Sequence, residues 1–357
     1  MSSFGRGFRN RNPLVLVAAA ALTLLALLGF EQLFVTGAWT AVPLKYLMRN
    51  KLDSFTYVSW TVGANKRHPP AVPAIYVTGG SASREAIVSG PSLAAEVRRD
   101  GGPRVAAWDL GCINQNFGET MAVADNVPTA KPAWVLIGIN PGRFTEPPAT
   151  SEQQIVGRDF LLKSAHLQQY ISSTYGAYKY SRTILPGIFS YLTSKAQKDG
   201  FRALRGAEPQ RSYVPHKYTV AHVRTAAQKE AMVRVWNAKR YPVFRQNLQF
   251  NLALVRQILI SCRQRGVHAV LLELPQNSEA IKGRFGAAVA AYQVPLHKLA
   301  AEFGVPYLDF NAAAAIPSAD FYDISHLVQP GRVIWQSRLA QELAALMGPD
   351  GTGVKSS

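Results

Sequence analysis

Residues 74–85 read Ala-Ile-Tyr-Val-Thr-Gly-Gly-Ser81-Ala-Ser-Arg-Glu85, and the fold is decided here. The first five residues, AIYVT, are apolar at nearly every position. That suits a parallel strand covered on both faces. The glycines then allow a sharp turn and a close backbone approach, and a helix follows. Ser81 therefore stands at the carboxyl end of a strand and near a helix N-terminus, where developing negative charge is favoured. Gly-Gly-Ser is also an ordinary turn, so the block alone fixes no chemistry. Ser83 is a second hydroxyl in the same block and is assigned to the helix.

Further along, four runs repeat the strand pattern: Val105–Leu110, Trp134–Ile139, Ala269–Leu274 and Pro306–Phe310. Between and after them lie helical stripes, Leu248, Leu252, Val255 and Leu259 in one and Trp335, Leu339, Leu343 and Leu346 in another. Alternation of strand and helix predicts a doubly wound α/β sheet of about five parallel strands. In such sheets ligands bind at the carboxyl ends of the strands. About 130 residues separate the third and fourth strands, more than one crossover needs. Residues 143–265 are therefore expected to be a helical insertion on the sheet, serving as a lid or docking surface.

Two more blocks fall at strand ends, and a third precedes the last helix. Gly111-Cys-Ile-Asn-Gln-Asn-Phe-Gly118-Glu-Thr120 follows the second strand, and a glycine N–H there is a candidate oxyanion donor. Gly138-Ile-Asn140-Pro141 ends the third strand, and the Asn140 amide is a candidate donor of the same kind. Read blandly, both are loops. Phe321-Tyr-Asp323-Ile-Ser-His326-Leu327 precedes the last helix. An Asp three residues before a His can orient the imidazole, which can then take a proton from a serine. A surface His beside a carboxylate is the plain alternative. A metal site needs more ligands, and no HxxxH or clustered carboxylates accompany the pair, so no metal or cofactor is expected.

Together, the serine after strand one, the glycine after strand two, the asparagine ending strand three and the DxxH before the last helix resemble the SGNH (GDSL-like) hydrolases. The resemblance spans about residues 73–347, with 143–265 matching poorly. It implies a flavodoxin-like fold, Ser81 as nucleophile, His326 as base and Asp323 as its orienting partner. It also implies an oxyanion hole from Asn140, the Ser81 N–H and a block-two glycine, Gly111 or Gly118, with Gly118 preferred. Two blocks depart from the family pattern: Gly79-Gly80-Ser81 replaces Gly-Asp-Ser, and Gly138-Ile-Asn140-Pro141 replaces Gly-x-Asn-Asp. The layout also resembles anchored cell-envelope O-acyl-transfer proteins. That implies an esterase or O-acyltransferase acting on an envelope glycan, polymer or lipid, with a multi-span membrane acyltransferase as a possible partner. A catalytically degenerate assembly or binding subunit is the alternative.

The anchor is read from Leu14 to Phe30, LVLVAAAALTLLALLGF, uncharged throughout. As a helix it would span roughly 26 Å, the short end for a bilayer. Arg6, Arg9 and Arg11 precede it, which places the N-terminus in the cytoplasm and the remainder outside. A signal peptide cleaved near Thr36–Gly37–Ala38 is the rival reading. Residues 1–35 are thus expected as tip and single-pass anchor, 36–72 as a linker, 73–347 as the catalytic domain and 348–357 as a disordered tail.

The chain's 357 residues carry a net charge of +17. Residues 182–245 hold thirteen Lys or Arg against three carboxylates, +10 of that total. Such a surplus favours anionic surfaces, lipid headgroups or acidic polymers among them, or is simply a solvated face. Nucleic acid is not expected, because no RRM-type or zinc-finger motif is present and export removes the target. The two cysteines, Cys112 and Cys262, read as buried thiols, with a single bridge between them as the other reading.

Overall fold

The computed structural model describes residues 13–48, 50–155, 162, 164–175, 212–349 and 351. Five parallel strands form one sheet in the order β2-β1-β3-β4-β5. They are β1 Ala74–Gly79, β2 Ala106–Gly111, β3 Ala133–Ile139, β4 His268–Glu273 and β5 Tyr307–Leu308. The principal helices begin with α1 Pro13–Val35, α2 Ser54–Arg67, α3 Ser81–Arg84, α4 Gly90–Arg99 and α5 Phe117–Asn126. After them come α6 Ala226–Val235, α7 Tyr241–Arg265, α8 Gly286–Phe303 and α9 Gln329–Met347.

Side chains alternate across the sheet with the period of two that a strand imposes. From β1, Ile75 and Val77 face a core with Leu93, Trp335 and Leu339 of α4 and α9. Tyr76 faces the opposite core, with Val123, Val255 and Leu296 of α5, α7 and α8. Strand order reverses direction at β1, which pairs in parallel with β2 on one side and β3 on the other. That switch opens a crevice beyond the carboxyl ends of β1 and β3. Ser81 follows β1 and Asn140 follows β3, so both flank it.

Three expectations about chain organisation are corrected. Residues 36–72 are no linker: α2 lies in the core, with Val58 and Val62 fully buried. Its buried face was hard to see because half of it is hydroxyl, Ser54, Thr56, Ser59 and Thr61. Residues 143–265 are not all insertion either. Helix α7 is the β3–β4 crossover, and its stripe of Leu248, Leu252, Val255 and Leu259 is buried. The expected tail begins later than residue 348, since the Gly351 carbonyl accepts from Trp134 Nε1 at 3.1 Å. Residues 352–357, and 182–211 of the basic segment, lie outside the described residues. Cys112 and Cys262 are free buried thiols, which corrects the bridge reading.

Helix α1 runs 23 residues, with Leu14, Val15, Val17, Leu22, Leu24 and Leu25 exposed. Among the described residues, no helix is long and apolar enough to cross a membrane, so the single-pass anchor expected at residues 14–30 is not supported.

Between α6 and α7 the helix widens into a π turn, Trp236–Arg240. Pro242 has no N–H for a bond four residues back, and the Tyr241 N–H instead bonds the Trp236 carbonyl five residues back.

β4 carries a buried carboxyl, Glu273, which accepts from Tyr292 at 3.0 Å and also from Tyr307. Burial pushes its pKa up to about 7, with Asp309 adding to the rise and the tyrosine bonds opposing it. An acid whose pKa is raised by folding holds its proton more tightly in the native state. Its contribution to stability is therefore full below pH 4.5, its ordinary value, and is lost as pH climbs through about 7. At 1.36 kcal/mol per unit, the full loss is on the order of 3 kcal/mol. Glu273→Gln is expected to flatten this slope, read by chemical denaturation at pH 5 and pH 8. An unchanged slope would rule Glu273 out as its source.

Candidate active site

Three side chains from opposite ends of the sequence meet at the crevice. Ser81 Oγ lies 2.8 Å from His326 Nε2. His326 Nδ1 lies 2.9 Å from both carboxylate oxygens of Asp323. The local chain makes each placement. Gly79 has φ +145°, and a Cβ there would meet Ser83 Cβ at 2.8 Å, so β1 can turn into α3 this tightly only with glycine. Ser83 is spent within the turn: it is fully buried and its Oγ donates to the Thr78 carbonyl at 3.2 Å. At the other end, the Tyr322 N–H donates to the His326 carbonyl at 2.7 Å, closing a loop around residues 323–325. Inside it, Asp323 Oδ1 accepts from the Ser325 and His326 N–H groups at 2.9 and 3.0 Å. Asn277 Nδ2 holds the Asp323 carbonyl at 3.0 Å.

Burial alone would raise the Asp323 pKa. The hydrogen bond and charge of His326, with the two backbone N–H groups, outweigh it and hold the carboxyl below its ordinary value. Asp323 is thus a stable anion beside the imidazole and fixes the proton on Nδ1. Nε2 is left as the acceptor facing Ser81. The Tyr218 ring packs against the imidazole at 4.9 Å and stacks on Tyr322 at 4.1 Å.

These groups floor a cavity of about 540 Å³. Asn140 lines it, with Oδ1 accepting the Arg143 N–H at 3.1 Å, so its Nδ2 donors remain for the cavity. The roof comes from α6 and the π turn, with Met232, Val235 and Trp236, and from the segment after β4, with Ile281 and Phe285.

No family model matches the sequence. No curated protein matches it. Among solved structures, a lipase/acylhydrolase from Enterococcus faecalis is similar at 12% identity and a TM-score of 0.35, over 76% of this chain and 96% of that one.

One expected site residue is elsewhere. Gly118 does not line the cavity; it is buried in the first turn of α5, where a Cβ would meet Asn116 Oδ1 and Ser151. The cause is a capping box: Asn116 Oδ1 accepts the Glu119 N–H, and Glu119 accepts the Asn116 N–H. Asn116-Phe-Gly-Glu119 carries that signature in the sequence. The helix therefore starts before Gly118 and draws it inward. Gly111 is also off the cavity, packed against the Arg84 backbone. The second loop reaches the cavity through Asn114, which is left-handed at φ +53°, and Gln115.

Sequence reasoning missed the residues that hold these loops together. Gln115 accepts the Gly79 N–H at 2.6 Å and donates to the Leu110 carbonyl at 2.9 Å, latching β1 to β2 at the crevice. Arg143 is buried and bonds the Gln115, Asn116 and Gly138 carbonyls and Thr120 Oγ1. Glu85 is fully buried between Arg84 and Arg332, and accepts the Lys217 N–H at 2.9 Å. Arg332 also donates to the Tyr218 carbonyl at 2.8 Å, which keeps the ring over His326. Some of the basic segment's charge is used internally in the same way. Lys229 is buried and bonds Ser318, and the Arg224 guanidinium sits over the Tyr322 ring at 5.2 Å. Among the described residues, no group of His, Cys, Asp and Glu is arranged to hold a metal.

Proposed function

We propose that this chain is a serine-dependent esterase or O-acyltransferase working through an acyl ester on Ser81. The observation that carries the reading is the continuous hydrogen-bonded run from Ser81 Oγ through both His326 nitrogens to Asp323. Three reactive groups in donor–acceptor order at a sheet switch point are what nucleophilic acyl transfer needs. His326 Nε2 takes the Ser81 proton as Oγ attacks the ester carbonyl. The carbonyl oxygen becomes an oxyanion, stabilised by Asn140 Nδ2 and the Ser81 N–H. His326 returns the proton to the departing alcohol, and an acyl-serine remains. Water or a second alcohol then attacks by the same steps in reverse, regenerating Ser81. The same geometry serves either acceptor.

The domain is further proposed to sit outside the cytoplasm, held at the membrane by its apolar N-terminal segment. Support comes from the uncharged run behind Arg6, Arg9 and Arg11 and from the exposed apolar side chains of α1. An acceptor there is a cell-envelope glycan, polymer or lipid, or water. For a sugar acceptor, a multi-span membrane acyltransferase would supply the acyl groups.

The test is intact-mass labelling of the full-length protein with a small fluorophosphonate. One adduct is expected on the wild type and none on Ser81→Ala or His326→Ala. An adduct surviving in Ser81→Ala would place the nucleophile elsewhere. No adduct on folded wild type would favour the degenerate subunit.

A further inference from the structure

We infer that the apolar roof is an acyl-binding subsite for esters with acyl groups of about six or more carbons, rather than acetyl. The inference rests on the serine-ester reading and deepens it.

Ser81, Asn114, Asn140 and His326 make the cavity floor, while Met232, Val235, Trp236, Ile281 and Phe285 make an apolar stretch of its roof, edged by Arg224, Gln228 and Arg240. Geometry decides which part of an ester lies under that roof. The departing alcohol takes its proton from His326 Nε2, so it lies on the His326 side. The acyl group extends the other way, past the oxyanion donors towards Asn140. Trp236 stands on that side. It packs on Phe244 at 6.2 Å, and Phe244 packs edge-on at 6.1 Å against Phe144, in the turn that Asn140 caps. Phe285 lies against Trp236 at 4.3 Å and continues the wall.

Volume points the same way. About 540 Å³ is in the range that holds a drug-sized ligand. An acetyl group has one methyl to bury and would leave most of that volume unfilled. The wall is also built in place, since Trp236 and Phe285 are both buried. Met232, Trp236 and Arg240 recur at a four-residue spacing, so one face of α6 and the π turn borders the cavity.

The experiment uses the full-length protein in lipid nanodiscs and p-nitrophenyl acetate, butyrate and octanoate below their aggregation limits. Each buried methylene contributes up to about fourfold. Wild type is therefore expected to favour octanoate over acetate by at least about tenfold in kcat/KM, allowing for chain left in water. Val235 is exposed at the roof, so Val235→Trp adds bulk without disturbing the core. It is expected to lower the octanoate-to-acetate ratio by about tenfold. A flat or acetate-favouring wild-type profile, with Ser81 still labelled by the small fluorophosphonate, would overturn the subsite and leave the esterase reading standing. No labelling would remove both.

Discussion

Ser81→Ala is expected to cut ester turnover by about 10⁴–10⁶-fold, with KM nearly unchanged. The nucleophile acts only in the chemical step, whereas substrate binding is spread over a cavity of about 540 Å³. Ser83 cannot replace it, being fully buried and bonded to the Thr78 carbonyl. The substitution should spare the fold, because the Ser81 side chain's hydrogen bond is to His326. Asp323→Asn provides the contrast. Its side-chain oxygen can still accept from the Ser325 and His326 N–H groups, so the loop should stay closed. The amide end, however, cannot accept the Nδ1 proton, and the imidazole turns to the wrong tautomer. A loss of about 10³–10⁴ in kcat is expected. Both variants should be assayed beside thermal unfolding. A Ser81→Ala protein that is folded and keeps more than about one-hundredth of wild-type turnover would sink the mechanism.

The sequence carried the sheet well. Each strand is a short apolar run, and the observed limits differ from the expected ones mostly by a residue. β5 is the exception: Pro306–Phe310 was expected, and Tyr307–Leu308 alone pairs as a strand. It is the edge strand, and the Pro306 carbonyl still accepts from Leu271. Once the strands are known, parallel pairing brings their carboxyl ends together, which is why Ser81, Asn140 and the Asp323–His326 loop could be gathered without coordinates. What failed was read from local signs with two meanings. Gly118 looked like a loop glycine, and the capping box around it was the stronger instruction. Helix α2 buries hydroxyls where a stripe search looks for carbon. The roof was beyond reach because Trp236 and Phe285 lie far apart in sequence and meet only after α7 has packed on the sheet. Its one local sign, Tyr241-Pro242 inside a helical pattern, reads equally well as a helix end.

Arg143 shows what such hidden residues are expected to contribute. Its guanidinium, buried beneath the crevice, bonds two carbonyls of the second loop, Gln115 and Asn116, one of β3, Gly138, and Thr120 Oγ1 of α5. It also stacks on Phe117 at 4.0 Å. Burial draws its pKa down to about 9, and the charge of Glu119 is the chief opposing influence. Arg143→Met fills much of the volume but leaves those acceptors without their donors, and a loss of about 3–5 kcal/mol of stability is expected. Arg143→Lys keeps the charge, but three donors on one nitrogen cannot span four acceptors, so an intermediate loss is expected. The kinetic effect should fall on kcat rather than KM. The Arg143 side chain fixes the loop bearing Asn114, while its backbone N–H, present in every variant, fixes Asn140 Oδ1. In Arg143→Lys one side of the site should loosen and the other hold, lowering kcat by about 10–100-fold through misplacement alone. Denaturant midpoints and the kcat–KM split together check this. An Arg143→Met protein within about 1 kcal/mol of wild type would show that the loops hold their positions without the guanidinium.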